Sequence, residues 1–357
     1  MQIGTRRVPF FSVVWLPLLS SCAATPAKPV EPPPQNAAPA AASASAAPAA
    51  PALLARARDA FGVLPAAPAE PPAQVALGRR LFFETRVSAD EKVGCVTCHE
   101  PAKWGTDGLP RSRGVFGREN PRNAPTVFNA GLQTAAHWHA DRDSVEDQAR
   151  RALLGKGSFG LASDADAVQR MRALPAPYPD AFRQAFPNDA DPVSVQNWGT
   201  AIGAYERTLI TPGPFDAFLN GDESALGAPA RAGLEAFLDE GCQRCHDGAL
   251  IGGRSLQKFG KYTEYAPLTH SAAVDNGRFE LTKSEDDRFV FKVPPLRNVA
   301  RTAPYFHDGS VATLPEAVAV MAKTQLGKEL PPERVAAVVS FLETLTAAVP
   351  PAFSPAP

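Results

Sequence analysis

Apolar positions recur at helical spacing in two corresponding parts of the chain. Leu77, Leu81 and Phe82 form one short stripe, and Leu234, Phe237 and Leu238 form a matching one about 155 residues later. Each is followed at a distance by a second helical pattern. In the first half Val195, Trp198, Ile202, Tyr205 and Leu209 share one face; in the second, Pro332 suits a first helical turn and precedes Val335, Val339 and Leu342. The repetition predicts a mainly α protein with two similar domains in tandem, at 71–215 and 216–348. Trp198 and Tyr205 read as core residues.

The N-terminus follows a different pattern. Arg6 and Arg7 precede an apolar stretch from Val8 to Leu19, too short to span a bilayer comfortably, and residues 1–21 read as an export signal. Leu19-Ser20-Ser21-Cys22 resembles a bacterial lipobox, in which Cys22 becomes a lipid-modified N-terminus and a membrane anchor. Residues 22–70, nearly all Ala, Pro and Ser from Ala23 to about Ala52, read as a tether that cannot bury enough surface to offset its ordering entropy. A hydrophobic content of 45% excludes disorder of the whole chain, and a formal charge of −1 leaves no basic excess for phosphates. Nucleic acid is therefore not an expected partner.

The cysteines define the chemistry. Cys95-Val96-Thr97-Cys98-His99 and Cys242-Gln243-Arg244-Cys245-His246 both have the C-x-x-C-H form of c-type haem attachment. Two thiols on one turn reach the two haem vinyl groups, and the adjacent His99 or His246 faces the iron as proximal ligand. A zinc site, a redox dithiol and structural disulfides are the rival readings. None explains a histidine directly after both pairs in an exported chain. Helix, haem motif and returning helix together follow the cytochrome c plan, so two covalent c-type haems are expected.

The sixth iron ligand decides whether such a protein carries electrons, activates peroxide or binds a gas. His137, His139, His270 and His307 remain after the proximal pair, with Met171 and Met321 once Met1 is removed. Met321 follows a capping box formed by Thr313 and Glu316. Met171 lies in a polar stretch and reads as core or surface.

In the order Leu77-Gly78-Arg79-Arg80-Leu81-Phe82-Phe83, Pro121-Arg122-Asn123-Ala124-Pro125-Thr126, Phe291-Lys292-Val293-Pro294-Pro295-Leu296-Arg297-Asn298 and Thr302-Ala303-Pro304-Tyr305-Phe306-His307-Asp308-Gly309, the chain from about Leu77 to Leu345 resembles the bacterial dihaem cytochrome c peroxidase family, which includes the MauG-type oxidases. The resemblance implies that the His246 haem is the electron-entry site, with Met321 at the position of its distal ligand. It implies that Trp138 is the tryptophan between the haems. A calcium ion between the domains would take the Asn123 side chain and the carbonyls of Thr302 and Pro304, hard oxygen donors that suit it. His307 belongs to a family motif and reads as ordering the second haem's surroundings.

Two departures from the family pattern bear on activity. The loop Arg113-Gly114-Val115-Phe116-Gly117 lacks the histidine that caps the N-terminal haem in many peroxidases, which implies an open iron. Ser158, in Gly157-Ser158-Phe159-Gly160-Leu161, stands where the family has its proton-transferring glutamate, and serine is not a base at neutral pH. His137 is the candidate substitute as acid and base, whereas His139 and His270 read as exposed or loop histidines. The expected activity is reduction of hydrogen peroxide with electrons from a small periplasmic cytochrome c or cupredoxin. The alternatives are a MauG-type oxidase acting on a partner protein's tryptophan or tyrosine, and a dihaem electron carrier.

Overall fold

The computed structural model describes residues 50–356; the export signal, Cys22 and most of the tether lie outside the described residues. The chain forms α1 (Ala50–Ala60), α2 (Pro72–Phe82), α3 (Val145–Leu154), α4 (Asp164–Ala173), α5 (Tyr178–Ala185), α6 (Val195–Arg207), α7 (Pro214–Leu219) and α8 (Ala228–Glu240). The short helices α9 (Ala266–Thr269) and α10 (Phe279–Thr282) precede α11 (Leu314–Met321) and α12 (Pro332–Glu343). Strands β1 (Leu256–Lys258) and β2 (Val290–Lys292) pair antiparallel, with Gln257 opposite Phe291. Helix starts follow local chemistry: Ser144, Ser163, Ser194 and Thr313 each accept a backbone N–H from three residues on, while Pro72 and Pro332 occupy positions whose missing N–H costs nothing.

The same crossing is built twice. Gly78 on α2 lies directly against α6, since a Cβ there would fall 1.8 Å from the Ala201 carbonyl oxygen. Gly233 on α8 approaches α12 in the same way, at 1.9 Å from the Ala337 oxygen. Four residues beyond each glycine, Phe82 and Phe237 meet the aromatic of the returning helix, Tyr205 at 5.6 Å and Phe341 at 5.3 Å between centroids. Both phenylalanines also sit 6.4 Å from a motif histidine, His99 or His246. The true equivalence therefore runs Gly78 to Gly233 and Phe82 to Phe237, two positions away from the pairing of Leu77 with Leu234. Hydrophobic periodicity identifies a buried face; backbone contact sets the register.

Two separate helical cores result. One gathers Leu77, Leu81, Leu153, Phe182, Trp198 and Ile202, extended by Phe82, Phe128 and Tyr205; the other gathers Leu234, Phe237, Phe215, Phe218, Phe341 and Leu342. Trp198 and Tyr205 are fully buried, as core residues should be, and Met171 is core as well.

The first and last described segments cross between these cores, which corrects the boundaries expected from sequence. Within the segment read as tether, α1 buries Leu53 and Ala57, with Phe61 just beyond it, against Phe215, Phe237 and Phe341 of the second core. The tether reading fails there because three apolar residues at i, i+4, i+8 suffice to dock a helix even in an Ala-rich stretch. Phe215, assigned to the first domain, belongs to the second core. Beyond residue 348 the tail returns to the first half: Phe353 packs 5.1 Å from Phe128 and 5.5 Å from Phe82, and Arg79 Nε donates to the Ser354 carbonyl at 2.8 Å. Phe353→Ala should lower stability by about 3–5 kcal/mol, the usual cost of emptying a buried Phe site, measured as a fall in the unfolding midpoint. An unchanged midpoint would mean that the tail only rests on the surface.

Candidate haem sites and the residues between them

Each C-x-x-C-H segment contains a single tight turn, Cys95–Thr97 or Cys242–Arg244, closed by backbone bonds from His99 N to Cys95 O at 3.1 Å and from His246 N to Cys242 O at 3.0 Å. Among the described residues these four cysteines form no disulfide. Burial raises all four, pushing Cys98 and Cys242 up to about 11. His99 Nδ1 donates to the Gly105 carbonyl at 2.9 Å and His246 Nδ1 to the Ile251 carbonyl at 3.3 Å. Those bonds leave Nε2 of each ring with its lone pair available. Burial keeps both imidazoles neutral, lowering His246 to about 4. A neutral ring oriented by a carbonyl is what an axial ligand requires, so the residues present fit a haem at each turn.

Trp138 and Met321 share an apolar cluster with Phe259, Tyr265, Phe291 and Phe306, in the second half of the molecule. Trp138 Nε1 donates to the Asn123 carbonyl at 2.9 Å, and its own carbonyl accepts from Lys292 N at 2.6 Å. These two bonds hold the indole between the Pro-Arg-Asn loop and β2. His307 is buried, stacked 4.4 Å from Phe291 and 6.3 Å from the Trp138 ring. Lys292, also buried, reaches Gln133, and burial lowers its ammonium to about 8.

Asn123 is buried where the two halves meet. Its Nδ2 donates to Leu109 O at 2.8 Å and its backbone N to His307 O at 2.7 Å. The neighbouring Arg122 donates twice to Asp275, at 2.7 Å each, and once to Glu280 at 3.0 Å. Arg122 Nη1 also lies 2.5 Å from His139 Nε2. His139 lies on a turn, as the loop reading has it, but it is buried rather than exposed, because Arg122 and Asp141 satisfy both ring nitrogens. His270 is exposed, as expected.

His137 stands on a tight turn from Ala136 to Arg142, with φ of 67° at His137 and 52° at Ala140. Such left-handed backbone is uncommon outside glycine and recurs where a side chain must be aimed. The imidazole is partly buried and close enough to His99 for its charge to disfavour protonation there. Burial lowers His137 itself, opposed by Asp141. Ser158 lies on the turn between Gly155 and Gly160, where its carbonyl accepts from Val115 N at 3.1 Å. Gly114 and Gly157 meet backbone to backbone there, since a Cβ on Gly114 would fall 1.8 Å from Gly157 O. The histidine-free loop is thereby pinned, with Val115 fully buried.

Among the buried acids that the sequence reading does not single out, one has a strongly raised carboxyl. Glu206 on α6 is 5% exposed near Cys95, and burial alone raises its carboxyl to about 8. The folded protein keeps this proton through a range in which an unfolded glutamate, near 4.5, has lost it. Stability should therefore fall as pH rises from about 4.5 towards 8. Glu206→Gln should reduce that slope, compared by denaturant unfolding at pH 5 and pH 8. An identical slope in the variant would show that the carboxyl finds a partner.

A profile described as di-haem cytochrome c peroxidase matches residues 72–224. The chain is 42% identical to a cytochrome c551 peroxidase of Pseudomonas aeruginosa, over 77% of its own length and 79% of the relative's. It is 34% identical to the methylamine utilization protein MauG of Methylorubrum extorquens, over 79% and 81% of the two chains. A solved MauG-like protein associated with microbial copper homeostasis superposes with a TM-score of 0.71 at 29% identity, covering 82% of this chain and 96% of that one. With two C-x-x-C-H turns on equivalent helix crossings and these relatives, the chain belongs to the dihaem cytochrome c peroxidase family of oxidoreductases.

Proposed function

We propose that the chain reduces hydrogen peroxide at an open haem held covalently by Cys95, Cys98 and His99, using electrons that enter at a second haem held by Cys242, Cys245, His246 and Met321 and pass by way of Trp138. The observation that carries this reading is the pinned loop at 113–117, which holds no histidine and buries Val115 against the 155–160 turn. Haem iron supplies the coordination site and the redox chemistry; the protein supplies orientation, electron entry and proton transfer. Support for Met321 as the second haem's distal ligand is its place beside Trp138 in one apolar cluster at the end of α11. A thioether ligand favours ferrous iron and raises the potential, as suits electron entry.

The same reading takes the two cores as tandem c-type haem domains of a periplasmic protein anchored through lipid on Cys22, with a small cytochrome c or cupredoxin as donor. Among the described residues no helix is long and apolar enough to cross a membrane. Calcium fits the junction because Asn123 commits Nδ2 to Leu109 O and keeps Oδ1 as a free acceptor, with the carbonyls of Thr302 and Pro304 as its companions. Proton transfer falls to His137, since Ser158 carries only a hydroxyl. That weak base at Ser158 and the MauG relative favour a second reading, an oxidase acting on a partner protein.

Steady-state peroxide reduction with a reduced cytochrome donor tests the first reading. Donor-dependent turnover supports it; its absence, with a covalently modified partner protein, supports the second. Met321→Leu should abolish the low-spin His/Met spectrum and lower that haem's potential. An unchanged spectrum would assign the ligand elsewhere, with His307 the first suspect.

A further inference from the structure

Asp141 lies four residues after His137 and two after His139, and its carboxylate joins them. His137 Nδ1 sits 2.9 Å and His139 Nδ1 3.1 Å from the same oxygen, Oδ1, while Arg142 pairs with Oδ2. The acid is half-buried among these partners, which hold it ionised, well below the usual carboxylate range. An ionised carboxylate only accepts, so each histidine must donate its Nδ1–H. The far side of His139 agrees, because Arg122 Nη1 donates to its Nε2. Among the described residues His137 has no such second partner. Its Nε2 therefore carries a lone pair, on the ring that acts electrostatically on His99.

We infer that Asp141 is a positioning residue for the N-terminal haem site: it fixes His137 in the Nδ1–H tautomer, so that Nε2 can take a proton from peroxide and return it to the leaving oxygen. The inference rests on the reading of His137 as the proton-transfer group. In that transfer the proton would leave the inner peroxide oxygen for Nε2 and be delivered to the outer oxygen as the O–O bond breaks and that oxygen departs as water, the inner oxygen staying at the haem, which would supply the two electrons. The imidazolium formed between these steps lies beside the Asp141 carboxylate, which stabilises it. The surrounding charges are Arg142 on Oδ2, Arg151 on the Asp141 carbonyl and Arg122 behind His139. None of them accepts a proton from His137. Asp141 is thus the group in this cluster that sets its tautomer, and the left-handed turn at His137 and Ala140 brings acid and imidazole together.

Two readouts test the assignment on the holoprotein. Nitrogen-15 histidine spectra of the fully reduced, carbon monoxide-bound protein should show His137 as the Nδ1–H tautomer. Observation of Nε2–H in the native protein would overturn the inference without any variant. Asp141→Asn keeps the volume but can donate as well as accept, and should lose the tautomer preference, as in the serine-protease triad where the equivalent exchange gives the wrong tautomer. The rate of reaction with peroxide should fall about tenfold or more, Asp141→Glu should restore most of it, and Asp141→Asn should add nothing in a His137→Phe background. A slow His137→Phe with an unaltered Asp141→Asn would refute the role of Asp141 and leave the role of His137 standing. Equal effects of Asp141→Asn with and without His137 would also refute it. A His137→Phe protein as fast as the native one would instead remove the reading on which the inference rests.

Discussion

Ser158→Glu is expected to raise peroxide turnover, and His137→Phe to lower it. Cleavage of the O–O bond needs a group that accepts a proton from one oxygen and gives it to the other, help typically worth about 10²- to 10⁴-fold. The native chain has a hydroxyl at the position where its family resemblance calls for glutamate, on a turn held by the Val115 to Ser158 backbone bond. A carboxyl there should recover about 10²-fold, the lower end of that range. His137→Phe should cost a comparable factor if the imidazole supplies the present activity. Stopped-flow mixing with peroxide, followed by donor oxidation, reads both. A native protein already as fast as its relatives, and insensitive to either change, would place the proton on another residue.

The second large effect concerns the helix crossings. Gly78→Ala and Gly233→Ala would each drive a methyl group to within 2 Å of a backbone carbonyl on the returning helix, at Ala201 or Ala337. No rotamer relieves a clash with backbone, so the helices must separate. Overpacking of this kind costs about 1–3 kcal/mol and occasionally more, and these contacts lie at the upper end. Each variant should lower the midpoint of thermal unfolding and reduce haem retention in its own half, Gly78→Ala at the first site and Gly233→Ala at the second. Wild-type stability in both would mean that the glycines do not approach the Ala201 and Ala337 carbonyls closely enough to exclude a methyl group.

These glycines also show where sequence reasoning ends. The apolar stripes on α2, α6, α8 and α12 are legible because burial follows helical periodicity and because Pro332 marks the start of the last of them. The register between the halves was not, since a stripe names a face and leaves the contact point open. Helix α1 was hidden by its composition, with Leu53, Ala57 and Phe61 spread through alanine and arginine. Phe353 was hidden by its prolines and by its position beyond the last expected helix. At the site, the C-x-x-C-H turns and Trp138 carry motifs, whereas Asp141 carries none. Its only trace in sequence is an acid four residues after His137, which becomes meaningful once the turn from Ala136 to Arg142 folds it back. The burial of His139 leaves no trace in sequence for the same reason, because its partner Arg122 is 17 residues away.

The most direct measurement is the electron paramagnetic resonance spectrum of the fully oxidised holoprotein before and after one equivalent of cyanide. One high-spin and one low-spin ferric haem are expected, with the high-spin signal converting to low-spin on cyanide addition without prior reduction, because the 113–117 loop offers His99's haem no internal ligand. Two low-spin haems that bind cyanide only after partial reduction would contradict an open N-terminal site.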